Sequence, residues 1–359
     1  MPLNRRDFIG AAGASLMLGS HTGASAQAVD TARIYVGFPA GTTPDILARK
    51  IGEKLVQGGY ARAVIVENRA GAGGQLGVVG VKGTPTDGAH ILLTPMSMLG
   101  VYPFTYKKLP YDPMNDLTPV TMGVSFDYGI AVGPMVPDSV KDIPGLMAWF
   151  KANPDKASIA SPAPGSTLHF TGITLGRAAG VELTHVGYKG SPPAIQDMLG
   201  GTLPALVSPL GSFLTYMGPG SKIRVLATSG AKRSRFTPNV PTLVEQGFKD
   251  MAYSEWYGFY LSAKAPNQVV RRLGSALHQA LKDLPGVEVE IEALGGYLRN
   301  LASADAALGA APVTFGALVA RLEEELEAPA VLLREAGGVL LAPMHTLHGL
   351  RFANVAVGE

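Results

Sequence analysis

Two stretches of this chain bring together residues able to hold a small anion. FPAGTTPDILAR, residues 38–49, ends an apolar run with a glycine, two threonines and a proline. SPAPGSTLHF, residues 161–170, repeats the pattern, with Gly165 to turn the chain and Ser166 and Thr167 to bring hydroxyls. Each reads as strand, turn, helix. In the first, Gly41 turns, Thr43 is placed to cap, Pro44 to take the first helical position, and Asp45 to sit in the first turn. A helix start leaves amides without partners and carries the positive end of the helix dipole. It therefore holds a carboxylate or phosphate without arginine. In open α/β sheets ligands settle at the carboxyl ends of strands. Two such starts, one in each half of the molecule, would face each other across a cleft, and a ligand with a carboxylate at either end would bridge them. One capped helix alone would identify nothing, because most bind no ligand.

Other candidates are weaker. NRAGAGGQLG, residues 68–77, follows an apolar run and suggests a phosphate loop. A dinucleotide fingerprint needs glycine at position 76, where Leu76 stands, and an acid about 20 residues further on; Asp87 comes too early. The stretch reads as a glycine-rich strand-to-helix turn, and no cofactor is expected. His345 and His348 form an H-x-x-H pair without a third ligand, so no metal site is expected. There is no G-x-S-x-G elbow. Ser166 with His169 is the nearest approach to a nucleophile and base, and no acid orients that histidine. His169 is instead expected to support its loop, as is Asp45. Lys189 either offsets ligand charge or sits at the surface. Asp197 is expected to bond the 189–191 turn, and Ser97 to line the cleft.

The elements that must position these residues alternate. Strands over 32–38, 63–67 and 90–94 alternate with helices over 44–56 and 74–82. A second set has strands at 128–132, 157–160, 183–186, 205–208 and 224–228, with helices at 143–152, 167–179 and 193–199. The aromatic segment 253–262 returns the chain to the first set, and helices follow over 266–281 and 318–327. This alternation implies mostly parallel sheets flanked by helices, in two lobes. Lobe 1 takes 29–127 plus 252–338, lobe 2 takes 128–251, and a tail follows over 339–359. With 47% hydrophobic residues in 359, the chain can bury a large core. A net charge of only +2 argues against nucleic acid. There are no cysteines, hence no disulfides. Residues 1–26 read as an export signal: Arg5 and Arg6, a short apolar stretch, and A-x-A sites at 24–26 and 26–28. The arginine pair resembles a twin-arginine signal, with an ordinary secretory signal as the alternative. Either route places the product in the periplasm.

FPAGTTPD, VENRAGAGGQLG, TDGAHILL, GSTLHF, VGYKGSPPAIQDMLGG and NVPTLVEQGF occur in this order between about residues 33 and 260. Together they resemble the solute receptors of tripartite tricarboxylate transporters, the Bug family. The resemblance implies a type II periplasmic-binding-protein fold, two α/β lobes closing on a ligand. It implies a monomeric, non-enzymatic receptor that delivers a small organic carboxylate to a membrane permease of two subunits. It places one carboxylate on Ala40, Gly41, Thr42, Thr43 and Asp45, and the opposite lobe's contacts on Ser161, Gly165, Ser166, Thr167 and His169; Lys189, Gly190 and Asp197 are further candidates for the site. Thr42 stands where the family usually has a second glycine. Its side chain would shrink the pocket or add a hydrogen bond. A binding protein that signals to a membrane sensor stays open as an alternative, as does, more weakly, an exported hydrolase.

Overall fold

The computed structural model describes residues 28–282 together with Leu284. The expected export signal, the helix over 318–327, the His345–His348 pair and the tail over 339–359 lie outside the described residues.

Among the described residues, ten strands form two five-stranded sheets. The first holds β1 (Val29–Val36), β2 (Ala61–Asn68), β3 (His90–Pro95), β4 (Leu117–Phe126) and β10 (Glu255–Ser262), in the order β2-β1-β3-β10-β4. The second holds β5 (Tyr128–Val132), β6 (Ser158–Ser161), β7 (Thr184–Gly187), β8 (Ala205–Pro209) and β9 (Arg224–Thr228), in the order β7-β6-β8-β5-β9. In the first sheet β1 pairs parallel with β2 and β3, while β10 runs antiparallel to β3 and β4. In the second, β6 is parallel to β7 and β8, and β5 is antiparallel to β8 and β9. One strand in each sheet thus opposes the other four.

Helices cover both sheets: α1 (Thr43–Gln57), α2 (Gln75–Val81), α3 (Ile143–Ala152), α4 (Thr167–Ala178), α5 (Ser191–Leu199) and α6 (Asn267–Lys282). Strands buried on both faces read as continuous apolar runs. YGIAV in β5 is buried throughout, and its alternate residues serve two cores. Tyr128, Ile130 and Val132 face one, and Ala131 faces the other with Ala160 and Leu206. On α6, Leu273, Leu277, Ala280 and Leu281 are buried at helical spacing against the first sheet's core.

The sequence gives no signal for β4, and the reason is positional. It is an edge strand, so it tolerates Pro119 and Gly123, which break its apolar pattern. Helix α5 begins at Ser191, two residues before the expected start, because prolines 192 and 193 fit a first helical turn.

The chain crosses between sheets twice. Only Asp127 separates β4 from β5, and residues 229–254 carry the chain back to β10. Ser229 ties the crossings together. Its hydroxyl accepts from the Tyr128 amide at 2.9 Å and donates to the Tyr253 carbonyl at 2.8 Å. Its own amide donates to the Tyr128 carbonyl, and its carbonyl accepts from the Tyr253 amide. Ser254 Oγ donates to Asp127 Oδ1 at 2.6 Å. The two crossings between the sheets are therefore hydrogen-bonded to each other.

Candidate ligand-binding cleft

Helices α1 and α4 follow the carboxyl ends of β1 and β6, and their first residues line one cavity between the two sheets. Thr42, Thr43 and Pro44 contribute from one side, Ser166 and Leu168 from the other. The N-cap of α1 is Thr42, one residue earlier than the sequence suggests, with Thr43 first in the helix and Pro44 second. The Thr42 hydroxyl does not cap; it donates to the Pro39 carbonyl at 2.6 Å. The first helical bond runs from the Ile46 amide to the Thr42 carbonyl at 3.0 Å, which leaves the Thr43 and Asp45 amides without a carbonyl inside the helix.

Asp45 shapes this loop from beneath. It is only 2% exposed and accepts from the Gly41 amide at 2.8 Å, from Asn68 Nδ2 at 2.8 Å and from Arg49 at 2.9 Å. Burial alone would raise its pKa, but the bonds from Arg49, the Gly41 amide and Asn68 outweigh it and hold the carboxyl below its ordinary value. Gly41, at φ +79°, is exposed and spends its amide on Asp45.

The start of α4 differs from expectation in the same way. Ser166 is its N-cap, yet the hydroxyl donates to the Ala163 carbonyl at 2.6 Å. The Thr167 hydroxyl points inward and donates to Glu255 Oε2 at 2.9 Å. The Thr167 amide donates to Ser97 Oγ at 3.3 Å. The Gly165 amide donates to His169 Nδ1 at 3.1 Å, so His169 braces the loop.

Glu255 opens β10 and is 2% exposed, and sequence reasoning missed it. Its Oε1 accepts from the Ser97 amide at 2.7 Å, and its Oε2 accepts from the Tyr128 hydroxyl as well as Thr167. Burial, with the charge of Glu255 next to it, pushes the Tyr128 phenol well up, so it stays a donor. The available signal was a lone acid heading an aromatic strand, EWYGFYLS.

Of the other expected residues, Ser97 and Gly190 line the cavity. Gly190, at φ +97°, lets its loop approach the facing lobe: a Cβ there would lie 3.0 Å from Pro39 Cδ. Ala40, Lys189 and Asp197 are exposed and lie off the cavity. Asp197 bonds Tyr188, whose hydroxyl donates to it at 2.6 Å, rather than the 189–191 turn itself. Ser161 is fully buried, also off the cavity, and its hydroxyl pairs with His185 Nε2 at 2.8 Å.

Loops of the two sheets bond to each other beside the cavity. Tyr106 OH donates to the Pro164 carbonyl at 2.8 Å, Thr105 Oγ1 to the Gly165 carbonyl at 3.1 Å, and Ser97 Oγ meets Thr167 Oγ1 at 2.8 Å. The cavity between them measures about 30 Å³, room for roughly two water molecules.

A family profile described as "Tripartite tricarboxylate transporter family receptor" matches residues 47–292. The chain belongs to this receptor family. The receptor is similar to Protein BugT of Bordetella pertussis, 30% identical over 71% of this chain and 78% of that protein. A solved structure described as a periplasmic transporter is 34% identical, with a TM-score of 0.67 over 72% of this chain and 85% of that one. The R. palustris protein Rpa4515, solved with adipate, is 26% identical, with a TM-score of 0.67 over 73% of this chain and 86% of that one. Among the described residues of the receptor, no helix is long and apolar enough to cross a membrane, and no cluster of three or more metal-ligating side chains occurs.

The receptor's His169 and His185 rings lie against each other, centroids 3.7 Å apart. Burial lowers the His169 pKa; burial and then the neighbouring ring lower His185 to about 4. The unfolded chain takes a proton on each ring below about pH 6.5, and the folded chain resists doing so. Stability from this pair is present above that pH and is lost as pH falls toward 4. Melting temperatures between pH 7.5 and 4 are expected to decline, and His185→Gln to flatten the slope between 6.5 and 4. An unchanged slope in the variant would remove the pair as its cause.

Proposed function

We propose that the receptor captures a small organic carboxylate between its lobes in the periplasm and presents it to a two-subunit membrane permease. The observation that carries this reading is the convergence of two helix starts, α1 and α4, on one cavity between the sheets. The open amides of Thr43 and Asp45 and the dipole of α1 favour an anion there. The moving bodies are residues 29–127 with 252–282 and residues 128–251, swinging about Asp127 and the Ser229 crossing. Ligand enters the open form and stabilises the closed one by touching both lobes, and the permease reads that closed form. The adipate of Rpa4515 supports carboxylate as the ligand class. The membership of a receptor family supports binding without catalysis, as does the local geometry. Ser166 spends its hydroxyl on a carbonyl, His169 accepts from an amide, and the Ser161–His185 pair does not line the cavity. Export by the N-terminal signal and action as a monomer complete the proposal.

A thermal-shift screen of mono-, di- and tricarboxylates and amino acids tests it. At about 100 times the dissociation constant a ligand is expected to stabilise the fold by roughly 2.7 kcal/mol. No shift with any carboxylate would overturn the reading.

A further inference from the structure

The two poles of the cavity differ in charge: a carboxylate of the protein itself lies at one of them. Both helix starts leave amides without a carbonyl inside the helix, Thr43 and Asp45 in α1 and Leu168 and His169 in α4, but beside α4 the protein's own carboxylate already occupies the neighbouring donors. Thr167 Oγ1, the Tyr128 hydroxyl and the Ser97 amide all donate to Glu255. Among the described residues, Glu255 is the only charged side chain lining the cavity. All three partners are neutral donors, and no ion pair involving Glu255 occurs among the described residues. Oε1 has a single protein donor, which leaves it a direction for one more.

A ligand seated on α1 therefore extends toward a buried negative charge. A second carboxylate on that ligand would face a like charge on a carboxylate that is only 2% exposed, where water screens little. A positively charged nitrogen at the same place would gain a charge-assisted hydrogen bond. Resting on the capture reading above, we infer that Glu255 sets the receptor's specificity, selecting a carboxylate whose far end carries an ammonium group and rejecting dicarboxylates. Selection arises as much from repulsion of the wrong end as from attraction of the right one.

The test uses pairs that share a carbon skeleton: succinate with 4-aminobutyrate, glutarate with 5-aminopentanoate, adipate with 6-aminohexanoate, and tricarballylate alongside. α-Amino acids extend the panel. Affinities are measured by calorimetry for the full receptor and for Glu255→Gln. The native receptor is expected to prefer the amino member of its best pair by about tenfold or more, the equivalent of one pK unit of charge interaction. Glu255→Gln is expected to lose that preference and to gain affinity for the diacid. A native receptor that takes the diacid as well as or better than its amino partner overturns the assignment, whatever the variant does. So does a preference that survives Glu255→Gln in a variant with native circular dichroism. These outcomes leave carboxylate capture standing. Failure of every carboxylate to bind would instead overturn the capture reading, and this inference with it.

Discussion

Gly77→Ala is expected to lower the melting temperature sharply. Helix α2 lies directly on the end of β1, backbone against backbone. A Cβ on Gly77 would sit 2.5 Å from the Gly37 nitrogen and 2.7 Å from its Cα. From the other side, a Cβ on Gly37 would sit 2.1 Å from the Gly74 carbonyl oxygen. No rotamer relieves such a clash, because the atoms struck are main chain. Overpacking ordinarily costs about 1–3 kcal/mol, and a contact with nothing to rotate belongs at or above the top of that range. Native stability is itself only about 5–15 kcal/mol, so much of it would go. Gly274→Ala is the matched control. Its Cβ would meet Val120 Cγ1 at an ordinary 3.7 Å, in the interior of α6. There the same substitution is expected to stabilise by about 0.5–1 kcal/mol, because alanine loses less backbone freedom in a helix. Thermal melts of the two variants should diverge in opposite directions. Equal melting temperatures would show that α2 can shift off β1, and the role assigned to these glycines would fall.

That pair of contacts also explains why NRAGAGGQLG looks like a nucleotide loop and is not one. The glycines serve close approach and left-handed turns, with Gly73 at φ +65° and Gly74 at φ +99°. The sequence shows which positions have no side chain but not what they must approach. Legibility elsewhere follows the same division. The bounds of β5, α3 and β9 coincide with those read from the sequence, because buried strands and amphipathic helices write their environment into their own residues. The edge strand β4 does not, since half its surroundings are solvent or irregular. The two helix starts were legible from turn and proline chemistry. Their hydroxyls were not: Thr42 and Ser166 turn to carbonyls and Thr167 to an acid, choices made by tertiary neighbours. The partners of Glu255 were illegible for a stronger reason. Its donors Ser97, Tyr128 and Thr167 lie 158, 127 and 88 residues away in sequence. No local pattern records a meeting of that kind.

Asp45→Ala is expected to lose the ligand response altogether, and the sign of that effect separates two accounts of the loop. On simple Coulomb grounds, removing a negative charge beside an anion site strengthens binding. The hydrogen bonds say otherwise. Asp45 holds the Gly41 amide on one side and Asn68 on the other, and Asn68 in turn donates to the Phe38 carbonyl at 3.1 Å. Its charge is already matched by Arg49, so little of it reaches the cavity. Alanine would leave the Gly41 and Asn68 donors unpaired, at about 1–3 kcal/mol for each that is buried, and free the loop whose shape aims the Thr43 and Asp45 amides. Arg49 is half exposed and adds little to that cost. Asp45→Asn keeps the volume and one acceptor, so it should retain part of both stability and binding. Because the folded carboxyl titrates below its ordinary value, its contribution is present above about pH 4 and is lost as pH falls through the lowered folded value. The check is the ligand-induced shift in melting temperature at pH 7 for the native receptor and both variants, with circular dichroism confirming that each is folded at 25 °C. Binding that ranks native, then asparagine, then alanine supports a positioning carboxylate. Tighter anion binding in Asp45→Ala would mean the site recognises charge alone, and the backbone geometry at the start of α1 would no longer account for it.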